Sequence, residues 1–137
     1  MKTYELTTEA TLDHLSLVTA FLEEHLEQAR CPLKEQMLLS VAAEEIFVNI
    51  ANYAYAPGTG TATVRLTLDD DPATANITFI DGGVPFDPLG KEDPDVTLSA
   101  EDRQIGGLGI YMTKKTMDEV RYEYRDGENR LTLIKKL

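Results

Sequence analysis

From Ala10 onward apolar residues recur at Leu12, Leu15, Val18, Phe21, Leu22 and Leu26, with acids on the opposite side. Steps of three and four place them on one stripe of a helix, so the pattern predicts a first helix that ends near Arg30. A second stripe, Leu38, Val41, Ala42, Ile46 and Ile50, predicts a helix from Pro32 to about Tyr55. Pro32 suits its first turn and Pro57-Gly58 stops it. The period then drops to two. Ala62, Val64, Leu66 and Leu68 alternate with Thr61, Thr63, Arg65 and Thr67, and Asp69-Asp70-Asp71-Pro72 turns the chain into a second strand, Ala75 to Ile80. Residues 2 to 7 read as an opening strand and Gly109 to Met117 as a short helix. Val120 to Arg125 and Leu131 to Leu137 read as a closing hairpin around Asp126-Gly127.

Residues 87 to 105 break this regularity: they hold Pro88, Gly90, Pro94 and scattered charges without a sustained period. A segment that long is read as a mobile loop, and long loops in compact domains often act as lids. Taken together the elements give an α+β two-layer sandwich, with helices on one face of a mixed, mainly antiparallel sheet, in one domain spanning residues 1–137.

Composition narrows the class. The chain has 137 residues, 42% of them hydrophobic, which suits one globular core without disulfide or metal support. Its lone Cys31 excludes an intramolecular disulfide and a cysteine-based zinc framework, and a reducing, cytoplasmic setting is expected. The first residues carry no secretion-type apolar run, and no uncharged stretch is long enough for a membrane span, so no membrane role is expected. Thirteen Lys plus Arg against 24 Asp plus Glu leave a net charge of −11, which repels phosphate backbones and argues against nucleic acid as a partner.

Three short motifs carry candidate chemistry. Glu45 and Asn49 lie one turn apart beside the inward stripe of the second helix, where a carboxylate and an amide can hold a hard cation together with waters and phosphate oxygens. An exposed pair on a solvated helix edge has the same spacing, and Glu44 next door competes for the role. Asp81 shares the inward face of Ile77 and Phe79, which makes it a semi-buried acid in need of a hydrogen-bond donor; a ligand amine is one such donor. Gly82 and Gly83 let a flat ligand approach the backbone, although Asp-Gly-Gly is also an ordinary turn. Gly106-Gly107-Leu108-Gly109 opens a helix, where backbone N–H groups converge on an anion such as phosphate or simply form a hinge. It is neither a Walker A loop nor a Rossmann fingerprint.

In their joint order these motifs resemble the GHKL (Bergerat-fold) ATPases over nearly the whole chain. Ala43-Glu44-Glu45-Ile46-Phe47-Val48-Asn49-Ile50-Ala51-Asn52-Tyr53 is similar to the family's N box, Asp81-Gly82-Gly83-Val84-Pro85-Phe86-Asp87-Pro88 to its first glycine box, and Gly106-Gly107-Leu108-Gly109-Ile110-Tyr111 to its second. Pro85-Phe86-Asp87-Pro88 and Met117-Asp118-Glu119-Val120 resemble, within that superfamily, the bacterial anti-sigma-factor serine kinases. The resemblance implies that Asp81 accepts the adenine amino group, Asn49 ligates Mg2+, and Glu45 is the general base for a protein serine. Asn49, Asn52, Tyr53, Gly83, Phe86, Gly106, Gly107, Leu108, Gly109 and Thr132 would complete the contacts to ATP or ADP. Tyr53 stands where many members have histidine, and Ile105 where some have a lid arginine. The Asn129-Arg130-Leu131-Thr132 segment is a loose match to the late Gly-Thr box.

The implied activity is ATP-dependent phosphorylation of a serine on a small STAS-type anti-anti-sigma regulator, with sequestration of a sigma factor and a homodimeric state. A non-catalytic, nucleotide-dependent binding module of the same fold is the alternative. His14 and His25, expected on the solvent side of the first helix, receive no chemical role.

Overall fold

The computed structural model describes residues 1–70, 73–88 and 107–137. The predicted lid beyond Pro88, with Arg103 and Ile105, and the leading Gly106 of the second glycine box lie outside the described residues.

Strand β1 (Lys2–Glu9) leads through a single 3-10 turn (Leu12–His14) into α1 (Leu15–Gln28) and α2 (Leu33–Asn49). A π-helical turn, Ile50–Ala54, extends α2, and β2 (Thr61–Asp70) and β3 (Ala73–Asp81) follow. The chain closes with α3 (Gly107–Thr116), β4 (Glu119–Arg125) and β5 (Glu128–Lys136). The five strands lie in the order β1-β2-β3-β5-β4. Every pairing among the described residues is antiparallel, where a mixed sheet was expected. The reason is connectivity: two hairpins supply four strands, and the helical returns bring β1 and β5 alongside β2 and β3 in opposed direction.

Alternation sets the two faces of the sheet. Val64 and Leu66 of β2, Ile77 and Phe79 of β3 and Leu133 of β5 are buried, as are Val18, Leu22 and Leu26 of α1 and Leu39, Ala43 and Phe47 of α2. The other face is polar and cross-linked strand to strand by Thr3–Thr67, Thr7–Thr63 and Thr78–Thr132 hydroxyl contacts and the Glu5–Arg65 pair. The closing hairpin turns on Asp126 and Gly127, both at positive φ (54° and 77°), as a two-residue type I′ turn requires.

Helix ends and faces depart from the periodic reading in informative ways. Helix α1 stops at Gln28 because Arg30 takes a left-handed conformation (φ 57°). Cys31 N–H then donates to the Leu26 carbonyl and Arg30 N–H to that of Glu27, a Schellman closure on a non-glycine residue. Leu12 is 55% exposed, since the 3-10 turn that holds it is out of phase with the α1 stripe. Val41 is 66% exposed, because α2 packs through Leu39, Ala42, Ala43, Ile46 and Phe47 and leaves Val41 on the flank. His25 is not on the solvent side: its ring stacks on Tyr4 at 3.8 Å and meets the Phe21 ring edge-on. His14 bonds the Thr8 hydroxyl through Nδ1.

Candidate active site

Glu45 sits one turn before the end of α2, half-buried, while Glu44 is exposed. The Asn49 amide donates to its Oε1 at 3.4 Å, a long bond, which ties the two side chains to one face of the helix. Burial pushes the Glu45 carboxyl above its ordinary range, the Asn49 hydrogen bond pulls it down, and the neighbouring Glu44 charge pushes it up again, for a net rise. On α3, Gly109 packs so closely on the Glu45 carboxylate that a Cβ there would collide with it. That contact separates Glu45 from Glu44 in a way that sequence spacing does not.

Beyond Asn49 the helix widens, and π-helical turns of this kind occur often at functional sites. The turn delivers the buried Ala54 to the start of the first glycine box, where the Ala54 carbonyl accepts from Val84 N–H at 2.9 Å. Gly83 lies directly against the Ala54 backbone, and a Cβ would overlap it. Close packing of two backbones therefore requires a glycine here. Tyr55 supports the same junction: its hydroxyl accepts from Gly82 N–H at 2.7 Å and donates to the Thr61 carbonyl at 2.6 Å.

Asp81 ends β3 at 5% exposure, directly opposite Asn129 of β5. Its Oδ1 accepts from Gly83 N–H at 2.9 Å and from the Asn129 amide at 3.0 Å, and no described residue bonds Oδ2. Asn129 holds several pieces at once. Its amide also donates to the Val84 carbonyl at 2.8 Å, and its Oδ1 accepts from Phe86 N–H at 3.1 Å and from the Tyr122 hydroxyl. Sequence reasoning missed Asn129 and Tyr122 as members of this site. The signal for Asn129 was present, because counting back by two from the inward Leu131 puts it on the core face.

One pocket joins these parts. Asn49 and Tyr53 line it from α2 and its π-helical extension, Phe79 and Asp81 from the sheet, Phe86 from the segment after β3 and Ile110 from α3. The Tyr53 and Phe86 rings stand 6.4 Å apart, tilted by 33°. Of the predicted residues, Asn49, Tyr53, Asp81 and Phe86 therefore meet at one pocket, and Glu45 with Gly109 forms its neighbour. Asn52 is exposed and does not line the pocket. Thr132 lies on the opposite face of the sheet, bonded to Thr78 at 3.0 Å, because odd-numbered β5 residues face the helices. Gly107 begins α3. An apolar slot whose buried carboxylate keeps one oxygen unbonded among the described residues fits a flat ligand that presents a hydrogen-bond donor.

Metal fit follows from the donor set. Among the described residues no group of three or more His, Cys, Asp or Glu side chains converges. The Asn49 Oδ1 is engaged by no described residue. That suits Mg2+ carried mainly by phosphate and water, with one protein amide, and does not suit an all-protein cage.

Comparison with known proteins identifies the family and the fold. The family model for the histidine kinase-like ATPase domain matches residues 8–135. The serine/threonine-protein kinase BtrW of Bordetella bronchiseptica is 31% identical over 113 residues, 82% of this chain and 79% of that protein. The serine-protein kinase RsbW of Bacillus licheniformis is 33% identical over 96 residues, covering 65% of this chain and 58% of that protein. Among solved structures, the RsbU and RsbW domains of Rv1364c from Mycobacterium tuberculosis superpose with a TM-score of 0.71 at 20% identity, over 100% of this chain and 33% of that one. The SiaB–SiaC complex of Pseudomonas aeruginosa gives 0.60 at 16% identity, over 96% and 89%. Both structures share its fold, three helices on an open five-stranded antiparallel sheet. With the family model covering nearly all of it, the chain belongs to the histidine kinase-like ATPase domain family.

Proposed function

We propose that this chain is an ATP-dependent protein serine kinase acting on a small STAS-type anti-anti-sigma regulator. The observation that carries the reading is Glu45: a half-buried carboxylate with a raised pKa, pressed against Gly109 and bonded to Asn49, which itself lines the pocket that contains Asp81. The names of the relatives, serine and serine/threonine kinases, point the same way.

In this reading Asp81 and the Tyr53–Phe86 rings hold the adenine, and the backbone at Gly107 and Gly109 receives the phosphates. The target serine loses its proton to Glu45 while its Oγ forms a bond to the γ-phosphorus. The bond from that phosphorus to the β–γ bridging oxygen breaks, and ADP leaves. A base works best with a pKa near the operating pH, and burial moves Glu45 in that direction. Magnesium, when bound, neutralises phosphate charge, and the Asn49 Oδ1 is this chain's own ligand for it. Residues 87–105 act as the lid over the nucleotide, and hydrogen exchange with and without an ATP analogue tests that part. Sigma-factor binding and homodimerisation complete the proposal; light scattering at the monomer mass would remove the second.

The direct test is transfer of γ-labelled phosphate from ATP to a purified STAS-type regulator. Label on the wild-type regulator and none on its serine-to-alanine variant is expected. Tight ATP binding without transfer to any such regulator would overturn the kinase reading in favour of a nucleotide-dependent binding module.

A further inference from the structure

The helix layer carries a second concave feature beside the pocket. A groove of about 1120 Å³ lies between α2 and α3, lined by Leu38, Val41 and Val48 from one helix and Met112 and Thr116 from the other. Glu45 and Gly109 line it as well, so it is continuous with the reacting end of the site. A smaller groove of about 580 Å³ borders the start of α1, formed by Leu12, Leu15, Ser16, Thr19 and Glu44. Glu44 belongs to both grooves, which makes them one strip across three helices.

Two properties of this strip specify its partner. Val41 is 66% and Met112 50% exposed, and Leu12 is also out in solvent, so apolar side chains stand where a solvated helix face would carry polar ones. Clustered exposure of that kind marks an interaction surface, whereas single exposed apolar residues mean little. The charge on the strip has one sign. Its described lining residues are apolar, hydroxyl-bearing, glycine or acidic, with Glu44 and Glu45 as the charges and no Lys or Arg. An acidic partner segment meets repulsion here, reinforced by a chain of net charge −11, and a basic one meets attraction.

We propose that this strip docks the kinase's protein substrate, taking a serine-bearing segment that has an apolar side chain between Val41 and Met112 and an Arg or Lys against Glu44. The proposal rests on the kinase reading for its orientation, since the groove ends on Glu45. Glu44, exposed beside Glu45, thereby gains a role in substrate choice. Val41 and Met112 act as specificity residues that touch substrate without touching nucleotide.

The test uses the full chain and short fluorescein-labelled peptides with one central serine, a leucine beside it, and either arginine or aspartate on the other flank. Binding is read by anisotropy and phosphorylation by label transfer. The arginine peptide is expected to bind roughly fivefold more tightly than the aspartate peptide, as for an exposed charge pair, and Glu44→Arg should reverse the order. Val41→Ser and Met112→Ser should each weaken both peptides several-fold, whereas Leu17→Ser, an exposed α1 position outside both grooves, should not. ATP affinity by calorimetry should stay unchanged in all four variants. Charge-dependent binding without label transfer, together with no transfer to a purified STAS-type regulator, would keep the docking strip and sink the kinase reading. Label transfer that ignores Glu44, Val41 and Met112 would keep the kinase and sink the strip. Binding of neither peptide would also overturn the strip.

Discussion

Asp81 and Glu45 are the two carboxylates of the proposed site, and their surroundings differ. Asp81 is almost fully buried at the end of a strand, and two fixed N–H donors hold one of its oxygens. Glu45 is half-buried on a helix, held by one long hydrogen bond, with its pKa raised. A rigid acceptor suits recognition of a ligand edge, and a less constrained carboxylate with a raised pKa suits proton transfer. What the pair teaches is that burial alone does not assign chemistry; the number and rigidity of the donors around each acid does.

The contrast breaks most visibly in turnover. Glu45→Ala should lower phosphotransfer to a regulator about 10²- to 10⁴-fold while ATP affinity, followed by calorimetry, stays within a few-fold. Equal loss of both would erase the division between the two acids. Asp81→Asn should do the opposite. The introduced amide leaves a buried donor mismatched, at about 1–3 kcal/mol or roughly 5- to 150-fold in ATP affinity, with residual turnover at saturating ATP nearly preserved.

A third substitution probes the scaffold between them. Gly83→Ala should lower stability by about 1–3 kcal/mol in chemical denaturation, because a Cβ there overlaps the Ala54 backbone. Little change in the denaturation midpoint would mean that the two backbones separate easily and that the Asp81 side is not rigid.

The smallest effect concerns acidity. A carboxyl with a folded pKa above its unfolded value binds more protons when folded. Its contribution is therefore present below the unfolded pKa and lost as pH rises through the raised folded one. At neutral pH ionised Glu45 thus costs stability, so Glu45→Gln should raise Tm slightly at pH 7 and by less near pH 4. Wild-type phosphotransfer should fall on acidification with a midpoint above the ordinary Glu value of about 4.3. A Tm that drops in Glu45→Gln would mean the ionised form is instead favoured by the fold.

Local pattern determined the elements, the inward position of Asp81 and the i, i+4 alignment of Glu45 with Asn49, because periods of two and 3.6 are properties of the backbone itself. The Asp126-Gly127 turn was legible for the same reason, since positive φ has few residue solutions. Tertiary structure alone decided which of two adjacent glutamates meets Gly109. It also decided that Thr132 faces away while Asn129 locks Asp81, and that Val41 and Leu12 stay in solvent. Those outcomes depend on strand pairing and on the phase of one helix against its neighbour, and neither is encoded in the spacing of residues along a single segment.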